Sequence, residues 1–356
     1  MKRQALVDQL QLALSLASKN SAWLSYLWKM GFLEVNNISK LQNGKPVVDA
    51  VSFTQAPFQK LAIAGETGSG KSSLLKMIAG LVQPDDGMIR FNDKHVLGPE
   101  YRLVPGHPEI AYLSQHFELR NSYRVEELLS YANKLSNEMA NAIFEVCMIN
   151  HLVKRKTDQL SGGERQRIAI ARLLIGSPKL LLLDEPYSNL DLIHKNILKD
   201  VIREIGETLQ ITCLLVSHDP TDILPWANEV MLMQHGKIVQ SGAPEYVYQH
   251  PSNTYTASLL GKYQILPPQL ADLLLPYSGS APLGKKIFVR PGNFKITSVD
   301  HGVAAQVRNI QFMVGFYELE LVVENTIIYI HTLNRHVQKN EIIFIALDTK
   351  TIQFLG

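Results

Sequence analysis

Gly65-Glu66-Thr67-Gly68-Ser69-Gly70-Lys71-Ser72 decides the fold. It fits the phosphate-cradling pattern G-x-x-x-x-G-K-[ST] and stands between an apolar run, Lys60 to Ala64, and a helical pattern opening near Lys71. A strand that turns through glycines into a helix aims the helix's unpaired N–H groups and its positive end at the loop mouth. Glycine lets successive amides face inward around a phosphate. The Lys71 ammonium then reaches the outer phosphates, and the Ser72 hydroxyl suits a Mg²⁺ ion bound with them. The expected nucleotide contacts are Gly65, Glu66, Thr67, Gly68, Ser69, Gly70, Lys71, Ser72 and Ser73.

A second apolar run, Leu180 to Leu183, ends in Asp184-Glu185. Two carboxylates at the mouth of a buried strand are costly unless they serve something. Asp184 is expected in the Mg²⁺ shell beside Ser72, and Glu185 as the general base for an attacking water. No Asn-Lys-x-Asp element of guanine-specific enzymes occurs, so ATP is the expected nucleotide. Around these loops, from Leu33 to Gly261, short apolar runs alternate with helical patterns, which implies a doubly wound α/β domain. Lys60 to Ala64, Leu180 to Leu183 and Ile211 to Val216 read as buried strands. Ser136 to Ile149 differs: Met139, Ala142, Ile143, Val146 and Cys147 recur at helical spacing, as in an inserted helix.

Leu160-Ser161-Gly162-Gly163-Glu164-Arg165-Gln166-Arg167, just ahead of a further helix, resembles the LSGGQ signature of ATP-binding cassette (ABC) ATPases, with Glu164 at the position commonly held by Gln. The resemblance implies a head-to-tail homodimer or pseudo-dimer in which the Ser161-Gly162-Gly163 turn of one subunit closes over the γ-phosphate held by the other's Lys71. It also implies roles for three further residues. Gln115, in Tyr112-Leu113-Ser114-Gln115, is similar to the family's Q-loop glutamine, which reaches Mg²⁺ and water. Asp191, in Ser188-Asn189-Leu190-Asp191, is similar to the D-loop at the dimer interface. His218, in Val216-Ser217-His218-Asp219, is similar to the switch histidine that contacts the γ-phosphate. Where the family carries an aromatic residue stacked on adenine, alignment of Ile38-Ser39-Lys40 and Val51-Ser52-Phe53 puts Gln42.

The tail sorts among classes of cassette. Phe288-Val289-Arg290-Pro291-Gly292, followed by alternating strands, resembles the OB-like (TOBE) domain of importer ATPases. Gly242-Ala243-Pro244-Glu245 and His250-Pro251-Ser252-Asn253 resemble the end of their ATPase domains. Five strands are expected there: 286–290, 304–312, 317–323, 327–331 and 342–346. Tyr317, Leu319 and Leu321 should form an apolar face, with Glu318 and Glu320 on a wet one. The resemblance thus implies the ATPase subunit of an importer, peripheral on the cytoplasmic side of the cell membrane. Its partners would be integral membrane permease subunits and, indirectly, an extracytoplasmic solute-binding protein. The alternatives are a soluble cassette ATPase acting on DNA or ribosomes, and an exporter ATPase. The first usually shows coiled coils, zinc modules or tandem cassettes, and the second usually lacks the barrel.

Composition agrees with a folded two-domain chain. The 356 residues exceed one ordinary core, and 46% hydrophobic with 19% charged residues is globular usage. A net charge of +2 gives no broad field for gathering nucleic acid, and none is expected as a partner. Two cysteines, Cys147 and Cys213, cannot make a disulfide framework or a four-ligand zinc site. No apolar run of 18 residues is free of charge or strong polarity. The expected organisation is an extension over 1–32, outside the fold or preceding a start at Met30, and a cassette over 33–261 with its helical subdomain near 116–160. A proline- and glycine-rich linker over 262–284 and an OB-like domain over 285–356 complete it.

Overall fold

The computed structural model describes residues 32–115, 119, 122–274, 286–348 and 353–355. The expectation for 1–32 falls almost wholly outside them. The chain divides into two compact units, one up to Pro244 and one from Glu245.

The first unit opens with β1 (Leu33–Gln42), β2 (Lys45–Gln55) and β3 (Lys60–Ala64), then α1 (Lys71–Ile78), β4 (Asp86–Phe91), β5 (Lys94–His95) and β6 (Ile110–Leu113). Helices α2 (Val125–Ser130), α3 (Asn137–Val146) and α4 (Gly162–Leu174) follow. Strand β7 (Leu180–Asp184), α5 (Leu192–Glu207), β8 (Thr212–Val216), α6 (Pro220–Ile223), β9 (Glu229–Gln234) and β10 (Lys237–Gly242) complete it. Six strands make the main sheet in the order β10-β9-β3-β8-β7-β6, parallel throughout except for β10. All residues of β7 and β8 are buried, as expected for strands covered on both faces. Because β3, β8 and β7 are neighbours, the loops leaving their carboxyl ends at Gly65, Ser217 and Glu185 emerge side by side, where open α/β sheets bind ligands. A second, antiparallel sheet, β2-β1-β4-β5, shares an apolar core with α1 and the main sheet through Leu33, Ile38, Leu61, Leu74, Phe91 and Val216.

Helix α3 forms where the periodicity placed it, with Ser136 accepting from the Met139 amide as N-cap. Its buried face matches expectation at Ile143, Val146 and Cys147 and departs from it in the first turn. Ala140, Ile143, Val146 and Cys147 are buried, while Met139 is 57% exposed. Met139 and Ala142 instead line an apolar groove with Phe32, Phe58 and Ile211.

The second unit begins with α7 (Pro244–Gln249), α8 (Thr254–Leu259), β11 (Gln264–Leu266) and α9 (Pro268–Leu274). Seven more strands follow: β12 (Lys286–Val289), β13 (Phe294–Thr297), β14 (Val303–Met313), β15 (Phe316–Val323), β16 (Thr326–Thr332), β17 (Ile342–Leu347) and β18 (Gln353–Leu355). They make two antiparallel sheets, β13-β17-β14-β15-β16 and β11-β12-β18, consistent with the OB-like barrel. The described part of 262–284, expected as a linker, is integral to this unit. β11 pairs with β12, Pro268 opens a helix instead of a flexible link, and Leu270, Ala271 and Leu274 join the barrel core.

Arg290 explains why residues after Glu245 belong to the barrel. Its guanidinium donates to the carbonyls of Tyr248, Ala257, Gly261 and Lys262 and lies 4.0 Å from the Tyr248 ring centroid. One side chain thus gathers α7, α8 and the following turn onto the end of β12. Glu318 departs from the expected wet face. It is 3% exposed and bonds to Lys262 Nζ at 2.6 Å and His331 Nε2 at 3.3 Å, so its burial is compensated by charge.

Candidate active site

Most helices of the first unit start behind a polar side chain: Ser136, Ser161, Asp191 and Asp219 each accept from an amide of the turn they precede. Helix α1 does not. Its N-cap is Gly70 at φ 102°, without a side-chain cap and without an acid in the first turn, so its leading amides remain available to an anion. The loop ahead of it admits no larger residue at two points. A Cβ on Gly70 would come 2.1 Å from the Val47 carbonyl oxygen, and one on Gly65 would come 2.3 Å from that of Met233. Glu66, Thr67 and Gly68 are exposed around the mouth, with Ser72 and Ser73 half-buried behind it.

Lys71 is 6% exposed, and its ammonium donates to the carbonyls of Gly65 at 2.8 Å and Glu66 at 2.7 Å and to Ser69 Oγ at 3.2 Å. Burial lowers its pKa below the ordinary lysine value, against the opposing charges of Glu185, Asp184 and Glu66. The ammonium is thus held among loop carbonyls by bonds that incoming phosphate oxygens can replace with stronger, charge-assisted ones.

Asp184, 2% exposed, ends β7 with both carboxylate oxygens engaged. Oδ1 accepts from Ser72 Oγ at 2.9 Å and Oδ2 from Tyr112 OH at 2.8 Å. Burial, then the Asp184 charge, pushes the Tyr112 phenol far above its ordinary pKa, so it stays a donor. Ser72 and Asp184 supply hard oxygen donors, while no group of three or more His, Cys, Asp or Glu among the described residues could hold a metal. That set fits Mg²⁺, which takes one or two protein oxygens and completes its shell from phosphates and water.

Glu185 follows in the left-handed region at φ 49°. Its amide donates to the Val216 carbonyl, and its own carbonyl accepts from Ser188 Oγ at 2.9 Å. A non-glycine residue kept in this conformation at a strand mouth is strain held by its surroundings, as at many reacting centres. The turn brings Oε2 to 2.8 Å from His218 Nδ1, at the end of neighbouring β8. Asp219, next to His218, is fixed by Lys195, which bonds to it at 2.8 Å and to buried Asp222 at 2.7 Å.

The structure therefore gathers Lys71, Ser72, Asp184, Glu185 and His218 into one site. Three other expected residues stand apart. Ser161 caps α4 by accepting from the Glu164 amide, and Glu164 Oε2 accepts from the Ser161 amide at 2.8 Å. Ser161 and Gly162 are exposed and Gly163 is buried. Asp191 caps α5, accepting from the His194 amide at 2.9 Å and lying 2.6 Å from His194 Nδ1. Gln115 is exposed two residues beyond β6, and no hydrogen bond among the described residues ties it to Asp184 or Glu185. Sequence reasoning missed Tyr112, Lys195, His194 and Gln166, whose amide donates to the Pro186 carbonyl. Only Tyr112 left a signal, being a polar aromatic in an otherwise apolar strand.

Comparison with known proteins identifies the family. The ABC transporter family model matches residues 48–188. The Fe(3+) ions import ATP-binding protein of Pseudomonas fluorescens is 37% identical over 275 residues, covering 75% of this chain and 77% of the relative. The spermidine/putrescine import ATP-binding protein of Clostridium acetobutylicum is 30% identical over 326 residues, covering 86% and 91%. The sulfate/thiosulfate import ATP-binding protein of a Synechocystis species is 28% identical over 315 residues, covering 85% and 87%. Among solved structures, the ADP conformation of an ATP-binding cassette of an ABC transporter superposes with a TM-score of 0.54 at 25% identity, covering 65% of this chain and 98% of that one. At these identities and coverages the chain belongs to the ABC transporter family, among its ATP-binding and ATP-hydrolysing subunits.

Proposed function

We propose that this chain energises solute import. Two copies bind two ATP head to tail, close, and drive a separate membrane permease that receives its cargo from an extracytoplasmic binding protein. The observation that carries the reading is the division within one chain. The phosphate cradle, the Mg²⁺ donors and the Glu185–His218 pair share one site, while Ser161, Gly162 and Asp191 present exposed surface elsewhere. A second copy turned about a two-fold axis completes both sites at once. Leu192 and Ile193, directly after Asp191, are 71% and 72% exposed, as suits a face that meets another copy.

Within the closed site the α1 amides and Lys71 hold the β- and γ-phosphates. Ser72 and Asp184 hold Mg²⁺, which when bound offsets charge on those phosphates. Glu185 accepts a proton from water, and His218 orients its carboxylate. Closure follows because ATP binds the closed dimer better than the open one, and hydrolysis removes that preference.

No helix among the described residues is long and apolar enough to cross a membrane, and in this reading the permease is a separate polypeptide. Its cytoplasmic segment docks in the groove of about 610 Å³ lined by Tyr112, Ser114, Leu119, Tyr131 and Arg172, next to Gln115. Tyr131 is 82% exposed at its rim. The test is to recover the Glu185→Gln protein from membranes and identify what accompanies it. A multi-spanning permease with a solute-binding protein is expected, whereas ribosomes or DNA would overturn the reading. Tyr131→Glu should abolish that recovery while leaving ATP binding intact.

A further inference from the structure

The signature turn and the D-loop are tied together inside one chain by a residue that neither motif contains. His194, in the first turn of α5, holds both oxygens of Asp191. Its amide donates to Oδ1 at 2.9 Å, and Nδ1 lies 2.6 Å from Oδ2. The same imidazole covers Gly163. A Cβ built there would meet His194 Cδ2 at 2.8 Å, closer than packed carbon atoms come, and His194 Cβ at a tight 3.0 Å. Below this contact, the buried Gln166 amide donates to the Pro186 carbonyl, joining α4 to the turn that follows Glu185. Two ties therefore run between α4 and the segment 186–194, one at each end of the D-loop.

We propose that His194 is a positioning residue that locks the signature turn to the D-loop, so that both elements one protomer presents to its partner's phosphates move as a single body. The proposal rests on the head-to-tail dimer. In that dimer Ser161, Gly163 and Asp191 of one chain all face the ATP held by the other chain's Lys71. An imidazole seated on Gly163 and bonded to Asp191 transmits a displacement of either loop to the other, because packed contacts of this kind do not deform continuously. His194 touches no phosphate. Its effect belongs to the ATP site of the opposite protomer, not to its own.

That asymmetry gives the test, made with the full chain carrying two different tags so that mixed dimers are isolated. The reference pairs a Lys71→Ala protomer with an unaltered one, leaving a single working site. When His194→Leu is placed on the Lys71→Ala protomer, the working site receives the altered signature turn and D-loop. Its kcat should fall about 2- to 30-fold, the span of residues that tune coupling, with KM for ATP changed less than about twofold. When His194→Leu is placed on the other protomer, kcat should equal the reference. His194→Asn, which keeps a donor to Asp191 and fits over Gly163, should restore most of the loss. Equal losses in both arrangements would mean that His194 serves its own site or the fold, and no loss in either would mean that the contact is inert. Each outcome overturns the proposal. Absence of any ATP-dependent dimer in the Glu185→Gln protein would instead remove the head-to-tail arrangement itself, and the coupling with it.

Discussion

His218 Nδ1 lies 2.8 Å from Glu185 Oε2, across the mouths of two neighbouring parallel strands. The contact orients a carboxylate whose backbone is already held at φ 49°. Replacing Glu185 with Gln keeps the side chain's size and its contact with His218 but removes the proton acceptor. Hydrolysis should slow by roughly 10²- to 10⁴-fold while ATP binding persists. Turnover at the unaltered rate, measured as phosphate release, would take Glu185 out of the role of general base.

Tyr112 shows where reading the sequence stops. Gly65–Ser72 and Asp184-Glu185 were legible because each is a contiguous word whose chemistry is complete within a few residues. Tyr112 acquires its role only from strand order. β6 lies beside β7 with Tyr112 opposite Leu182, so its side chain shares a face with Leu182 and, two residues on, Asp184. His194, Lys195 and Gln166 depend in the same way on helix packing that no local pattern encodes. Glu318 reversed the expected polarity because Lys262, from a distant segment, compensates its charge and His331, its cross-strand neighbour, bonds to its other oxygen. Tyr112→Phe should leave Mg²⁺-free nucleotide binding unchanged and raise the Mg²⁺ concentration for half-maximal ATPase activity by about tenfold, as loss of a residue supporting a metal ligand does. An unchanged Mg²⁺ dependence would show that Ser72 alone fixes Asp184.

Arg290 is the central polar tie of the second unit. Its alanine variant leaves the carbonyls of Tyr248, Ala257, Gly261 and Lys262 without this donor, and each such group costs about 1 to 3 kcal/mol if it stays buried and unpaired. Partial hydration lowers the sum, so a loss of about 2 to 4 kcal/mol is expected. Arg290→Lys should recover little of it, because an ammonium cannot reproduce the planar fork or the stacking on Tyr248. Thermal unfolding of the variant should show the second unit melting early while nucleotide binding by the first persists.

Lys195 anchors the segment behind His218. Burial would raise the Asp219 pKa, but hydrogen bonds from Lys195 and Thr221 and the Lys195 charge outweigh it and bring it from 3.8 to about 2. A carboxyl whose pKa is depressed by folding contributes stability above its unfolded value and loses it as pH falls. Here the contribution is complete above 3.8 and fades toward about 2. Lys195→Met should therefore move the Asp219 titration upward and reduce stability at neutral pH, with the difference from the unaltered chain narrowing below 3.8. A carboxylate chemical-shift titration reads the first effect and urea midpoints at several pH values read the second. An Asp219 midpoint that stays near 2 would show that Thr221 alone sets it.

Gln42 is exposed at the end of β1, and the sequence resemblance puts it where the family carries an aromatic residue against adenine. An amide there offers no π face, and base stacking is worth about 1 to 3 kcal/mol in single-strand nucleic-acid sites. The phosphate cradle is indifferent to the base, so without stacking most of the affinity comes from contacts that ATP and GTP share. GTP should accordingly support hydrolysis at a rate approaching that with ATP. Gln42→Tyr should tighten ATP binding about tenfold or more, and GTP by a similar factor, since every base presents a face to stack on. Negligible GTP turnover by the unaltered chain, or no gain in affinity for the tyrosine variant, would place the base-selecting contact at another residue.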